Sequence, residues 1–202
     1  PQELIPNGTI SSNYNGQDIS CFGATDGEIT ASISGGTPNY VYSIDGGTTF
    51  QGSTIFTGLG AGTYTITYQD ANGCDTSEVI TLTNPADLSG VLSITQQVSC
   101  NGVADGSIQF VVNNINTGTP GYQYSINGGG TFQGSNTFTG LSGGQTHTII
   151  IEDTNGCQAS STIFLLEPSA ITFSVSSSNF NGYGVSCNGA TDGQIIILSP
   201  SG

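Results

Sequence analysis

Cysteine and aspartate recur along this chain in fixed company, and the chemistry these residue types offer is thiol oxidation and cation binding. Cys21, Cys100 and Cys187 each open a Cys-x-Gly-x-x-Asp-Gly run that carries Asp26, Asp105 or Asp192. Cys74 and Cys157 each close an Asp-x-Asn-Gly-Cys run begun by Asp70 or Asp153. Two cysteines at equivalent places in each of two copies, with Cys187 opening a third, predict one disulfide per copy, Cys21 with Cys74 and Cys100 with Cys157. The partner of Cys187 is then expected outside this sequence. Closing a loop of about fifty residues would stabilise each copy by roughly 4 kcal/mol in the chain-entropy model. Such bonds imply an oxidising, extracellular setting. Buried free thiols are the other reading of the pairs. A zinc site is opposed by the single histidine and the lack of any Cys-x-x-Cys spacing.

Asp26, Asp70, Asp105, Asp153 and Asp192 are candidates for weak Ca²⁺ binding, because loop carboxylates ligate hard cations in many extracellular modules. The competing reading is that each carboxylate caps its own turn, and neither motif has the dense Asp-x-Asp-x-Asp spacing of a dedicated loop. No cofactor is expected to be required. His147, the only histidine, stands in Gln145-Thr146-His147-Thr148 where the first copy has Gly62-Thr63-Tyr64-Thr65, a strand position shared with Tyr and so a structural one. With no Ser, His and Asp constellation and no basic side chain to stabilise an oxyanion, the chain is expected not to be an enzyme.

The chain has fourteen acidic residues, no Lys or Arg, and a net charge of −14. Without a basic residue it cannot neutralise phosphates, so nucleic acid is excluded as a partner, and trypsin-like proteases have no site to cut. No apolar run exceeds four residues (195–198), so no membrane insertion is expected. A hydrophobic content of 35% with nine Phe and eight Tyr argues for packed domains rather than disorder.

The elements that must position these residues are short strands. Tyr64-Thr65-Ile66-Thr67-Tyr68 alternates with period two, which predicts a half-buried strand with Ile66 and Tyr68 inward and Thr63, Thr65 and Thr67 toward solvent. Tyr40, Tyr42 and Ile44 are expected to face the same core. Residues 78–83 form its partner across the Asp70-Ala71-Asn72-Gly73 turn. Further strands are expected over 28–33, 40–44, 88–95, 107–112, 122–126, 146–152 and 161–166. No segment has a 3.6-residue apolar period. The block 46–59 returns at 128–141 with eleven of fourteen residues unchanged, and Pro1, Pro85 and Pro168 each precede a similar run. Three units follow: 1–84, 85–167 and a partial one over 168–202, a window on a longer array. Six or seven short strands per unit of about 83 residues predict all-β, tandem immunoglobulin-like antiparallel sandwiches.

The order Cys-x-Gly-x-x-Asp-Gly, Gly-Thr-Pro-x-Tyr-x-Tyr-Ser-Ile, Gly-Leu, Gly-Thr-Tyr-Thr-Ile, Asp-x-Asn-Gly-Cys and a closing Pro resembles the SprB repeat, found in very large gliding-motility adhesins and other surface proteins of the Bacteroidota. The match runs from Ser20 to Pro168 and into the third unit. The second unit departs from it at 145–148 and by an insertion over 113–117. The resemblance implies a secreted cell-surface protein exported by the type IX system, with these repeats as its shaft. The expected function is a stalk that extends an adhesive tip and bears tension, its partners being neighbouring repeats and a surface polysaccharide or gliding-track component. Two other readings stand beside it. Phe50, Phe56, Phe132 and Phe138 recur in register and would serve a carbohydrate-binding module if they are exposed rather than core plugs, and self-association would make a surface sheath.

Overall fold

The computed structural model describes residues 2–112 and 118–201. The insertion over 113–117 lies outside them. Among the described residues every regular element is a strand, and no helix is long and apolar enough to cross a membrane. The first repeat supplies β1 (Ile5–Pro6), β2 (Thr9–Ile10), β3 (Gly27–Thr30), β4 (Ile33–Ser34), β5 (Val41–Ser43), β6 (Ile55–Leu59), β7 (Gly62–Gln69) and β8 (Asp75–Leu82). The second supplies β9 (Gly90–Gln96), β10 (Gly106–Val112), β11 (Gln123–Ser125), β12 (Thr137–Leu141), β13 (Gln145–Glu152) and β14 (Gln158–Leu165). Last come β15 (Thr172–Ser177) and β16 (Ile195–Ser201), an antiparallel pair. Sheet orders repeat with the sequence: β2-β3-β6 and β5-β7-β8 are matched by β9-β10-β12 and β11-β13-β14. The fold is the expected all-β antiparallel sandwich of the immunoglobulin-like kind.

Two compact units divide the chain. The first takes in Pro1–Leu92, Phe110–Asn136 and Thr148–Ser161. In its sandwich Ile29 and Phe56 come from one sheet, Tyr42, Ile66, Tyr68 and Leu82 from the other, and Ile19 from the loop ahead of β3, all in one buried cluster. Alternation in β7 sets this arrangement: Ile66 and Tyr68 are fully buried, whereas Thr63 and Thr65 are exposed and Thr67 half-buried. Tyr40 and Ile44 pack against the cluster as expected. The Tyr42 and Tyr68 rings meet edge to face with centroids 5.7 Å apart. The Tyr68 hydroxyl donates to Glu78, whose Oε1 also accepts the Gly8 amide. This unit also holds the pairing of β11 with the end of β13, in which Tyr124 faces Ile151.

The second unit takes in Ser93–Gln109, Thr137–His147 and Thr162–Gly202. There β10 pairs with β12, Ile108 opposite Phe138. Val98, Ile108, Phe138 and Leu165 are buried, and the Thr95 hydroxyl of β9 donates to Ser107 of β10 over 2.8 Å.

The cysteine pairing differs from expectation. The disulfide joins Cys21 to Cys157, across 136 residues, and Cys74, Cys100 and Cys187 are free and exposed. The β7–β8 ladder is the physical reason. Its register runs from Gly62 opposite Leu82 to Gln69 opposite Asp75, and that is roughly 23 Å at 3.3 Å per residue. Cys21 belongs to the Leu82 end, where the Gly23 amide donates to Asn84 and the Thr83 amide to Asp18. Cys74 lies in the turn at the other end. A disulfide needs α-carbons within about 7 Å, so the pair Cys21 and Cys74 cannot close. The expected Cys100–Cys157 bond is likewise absent, because Cys157 is taken by Cys21 and Cys100 is free.

Candidate functional site

Each recurring aspartate is positioned by the turn it belongs to. At the hairpin turn, Asp70 Oδ1 accepts the amides of Asn72 and Cys74, both at 2.9 Å, and Oδ2 reaches across to the Thr37 amide at 3.0 Å. Asp153 repeats this with Asn155, Cys157 and Thr119. One carboxylate thereby fastens the hairpin turn to the Gly-Thr-Pro loop. The glycine of that loop is required by the contact: Gly36 has φ +62°, and a β-carbon there would stand 2.9 Å from Asp70 Oδ2; at Gly118, φ +60°, the distance would be 2.7 Å from Asp153. The amide of Thr37, above the other donors, holds the Asp70 carboxyl below the ordinary carboxylate range.

In the Cys-x-Gly-x-x-Asp-Gly loop the Asp carboxylate accepts an amide from the serine before the cysteine: Ser20 to Asp26 at 3.1 Å, Ser99 to Asp105 at 3.0 Å, Ser186 to Asp192 at 3.0 Å. For Asp26, burial pulls the carboxyl up, but its hydrogen bonds outweigh that and leave it lowered. Hydrogen bonds from Ser99 and Ser186 lower Asp105 and Asp192. A sixth cap escaped the sequence reading. Asp45 accepts the amides of Thr48 and Thr49 and the Thr49 hydroxyl, and Thr49 above all holds its carboxyl well below the usual range. Asn127 fills its place in the second copy and accepts the Thr131 amide, so this position needs an acceptor rather than a charge. Among the described residues no three His, Cys, Asp or Glu side chains gather as a metal site would need.

His147 and Tyr64 do the same work at equivalent positions. The Tyr64 hydroxyl donates to the Gly60 carbonyl, and His147 Nε2 lies 2.9 Å from the matching Ser142 carbonyl. Phe56 and Phe138 are core side chains, whereas Phe50 is exposed and Phe132 half-buried.

These turns converge within the first unit at the disulfide. Asn155, held by the Asp153 turn, donates from Nδ2 to the carbonyls of Tyr14 and Ser20 and to the Thr119 hydroxyl, and its Oδ1 accepts from Asn15. A cleft bordered by Cys21, Phe22, Pro85, Leu88, Asp153 and Cys157 adjoins the bond. The arrangement is a covalent junction with a hydrogen-bonded rim, joining a loop of the first sequence repeat to a turn of the second.

Residues 13–49 match the family model described as the SprB repeat, the family its motifs resemble. No curated protein matches the chain. Among solved structures, the three N-terminal domains of the bacteriophage RB49 highly immunogenic outer capsid protein align with 87% of this chain and 61% of theirs, at 16% identity and a TM-score of 0.42. The C-terminal 282-residue fragment of intimin, solved with the intimin-binding domain of the translocated intimin receptor, aligns with 87% of this chain and 66% of its own, at 11% identity and a TM-score of 0.36. Domains 4 and 5 of the S-layer protein SbsC align with 81% of this chain and 98% of theirs, at 12% identity and a TM-score of 0.31. The chain spans less than two thirds of the first two.

Proposed function

Residues 13–49 carry the SprB repeat, and from that premise we propose that the chain is a stalk segment of a large cell-surface adhesin of the gliding-motility type, exported by the type IX system, that extends an adhesive tip and bears tension. The observation that carries this reading is the Cys21–Cys157 bond. Covalent linkage of one repeat to another limits how far the chain can extend when it is pulled. A charge of −14 with no basic residue supports it, because like charge keeps parallel copies from bundling. The segment performs no catalysis and needs no resident cofactor. Its partners are neighbouring repeats, with a surface polysaccharide or a gliding-track component at the cell surface.

Antibody raised against this chain and applied to intact cells that produce it tests the reading. Label along filaments outside the cell is the expected result; label seen only after permeabilisation would sink it. A thermal melt is expected to be the same in EDTA and in millimolar Ca²⁺, and a rise in Tm with Ca²⁺ would instead assign the loop aspartates a cation.

A further inference from the structure

An Asn-Gly pair is a place where a polypeptide can modify itself, because the glycine amide nitrogen can close on the asparagine side-chain carbon and expel ammonia. The step needs a glycine amide that is not already donated, and water within reach. Residues 1–167 hold six such pairs, with asparagine at 7, 15, 72, 101, 127 and 155. In five of them the fold has engaged the amide. Gly8 donates to Glu78, Gly16 to Asn13 and Gly102 to Glu167, while Gly73 and Gly156 donate to the Asp70 and Asp153 carbonyls. The Gly128 amide finds no acceptor among the described residues. Asn127 and Gly128 are both exposed, and a β-carbon added at Gly128 would meet nothing within 4 Å.

The turn also prepares the carbonyl that this nitrogen would attack. Asn127 Oδ1 accepts the Ser125 hydroxyl at 2.8 Å and the Thr131 amide at 2.9 Å, two donors placed where negative charge develops as a nucleophile adds to the carbon. Asn127 Nδ2, the leaving nitrogen, donates to Thr131 Oγ1 at 2.9 Å. Ser125 is buried, so its hydroxyl is shielded from water. The first repeat displays the product in place. There Asp45 occupies the matching position, and its carboxylate accepts the Ser43 and Thr49 hydroxyls and the amides of Thr48 and Thr49. Ser43 and Thr49 are the counterparts of Ser125 and Thr131. An aspartate is therefore a native occupant of this turn.

We propose that Asn127 is a self-deamidating site whose aspartate product the turn is built to hold. The Gly128 nitrogen, giving up its proton to water, bonds to Asn127 Cγ; the Cγ–Nδ2 bond breaks and Nδ2 leaves as ammonia, closing a succinimide. Water then opens the ring. Addition at Cγ restores the main chain and leaves aspartate, whereas addition at the main-chain carbonyl carbon leaves isoaspartate. The balance is one water consumed, one ammonia released and one carboxylate gained, with no oxidant or reductant. The second repeat thereby acquires the charged cap that the first one encodes. This inference stands on the turn and not on the stalk reading.

The purified chain is kept at neutral pH for days, folded in buffer and unfolded in urea, and its chymotryptic peptides are followed by mass spectrometry. In the folded chain, deamidation is expected severalfold faster at Asn127 than at the other five pairs, and severalfold faster than at Asn127 in urea. Unfolding is expected to abolish the preference among the six. Asn127→Asp is expected to melt at the parent's Tm or above it. An Asn127 that stays intact in the folded chain, a folded rate no faster than at the other pairs, a preference that survives urea, or a lowered Tm for Asn127→Asp would each overturn the proposal.

Discussion

At the scale of single residues, the carboxylates act as anchors for backbone amides, and this makes the fold sensitive to acid in one direction. Asp26, Asp45, Asp70, Asp105 and Asp192 are all held below the ordinary carboxylate range. A group depressed on folding contributes stability that is fully present above its unfolded value, about 3.9 for Asp, and is lost as pH falls through the lower folded value. Tm is therefore expected to be flat from neutrality to about pH 5 and to fall below about pH 4. Calorimetry across that range checks it, and a melt that improves in acid would contradict the capping role. Asp70→Asn is expected to flatten part of the acid limb, since an amide oxygen can accept without ionising. Residue type and turn context made the capping reading available from the sequence. The reach of Asp70 to Thr37, 33 residues back, was not legible, because it depends on which loops the sheets bring together.

At the scale of elements, the strands that alternated were readable and the strand that bends was not. β7 and β8 are found where they were expected, β7 running past 64–68 at both ends and β8 starting at Asp75, closer to the turn than the expected 78, and stopping at Leu82. The expected single strand over 28–33 is two, β3 and β4, broken at Ala31 and Ser32. β6 went unread because Gly58 interrupts it; Gly58 has φ +73° and marks a bulge opposite the register shift between Gly27 and Ile29. Gly140, φ +72°, does the same in β12. Gly58→Ala is expected to cost about 1–2 kcal/mol, the strain of a left-handed backbone at a residue with a β-carbon. Urea unfolding measures it, and an unchanged midpoint would mean that the bulge relaxes. The cysteines mislead for a related reason. Their number and loop length are written in the sequence, but which end of the β7–β8 ladder each occupies is decided only by pairing, and that decides which thiols meet.

At the scale of the whole molecule, the disulfide changes what tension can reach. Pulled by its ends with the bond intact, the chain can lengthen only outside the 136-residue separation between Cys21 and Cys157. The sequence-based pairing would have withheld about fifty residues in each repeat instead. Reduction under load is expected to release the enclosed length, roughly 450–490 Å at 3.3–3.6 Å per residue. Steps of a whole repeat in oxidised protein, seen by single-molecule force spectroscopy, would contradict this. In terms of connectivity the oxidised chain is a ring with two tails, and the tails are joined twice, once at sulfur and once through the backbone between the two cysteines. One scission anywhere in the ring opens it without parting the tails, so a nicked molecule keeps its mass and its continuity until the sulfur bond itself is reduced.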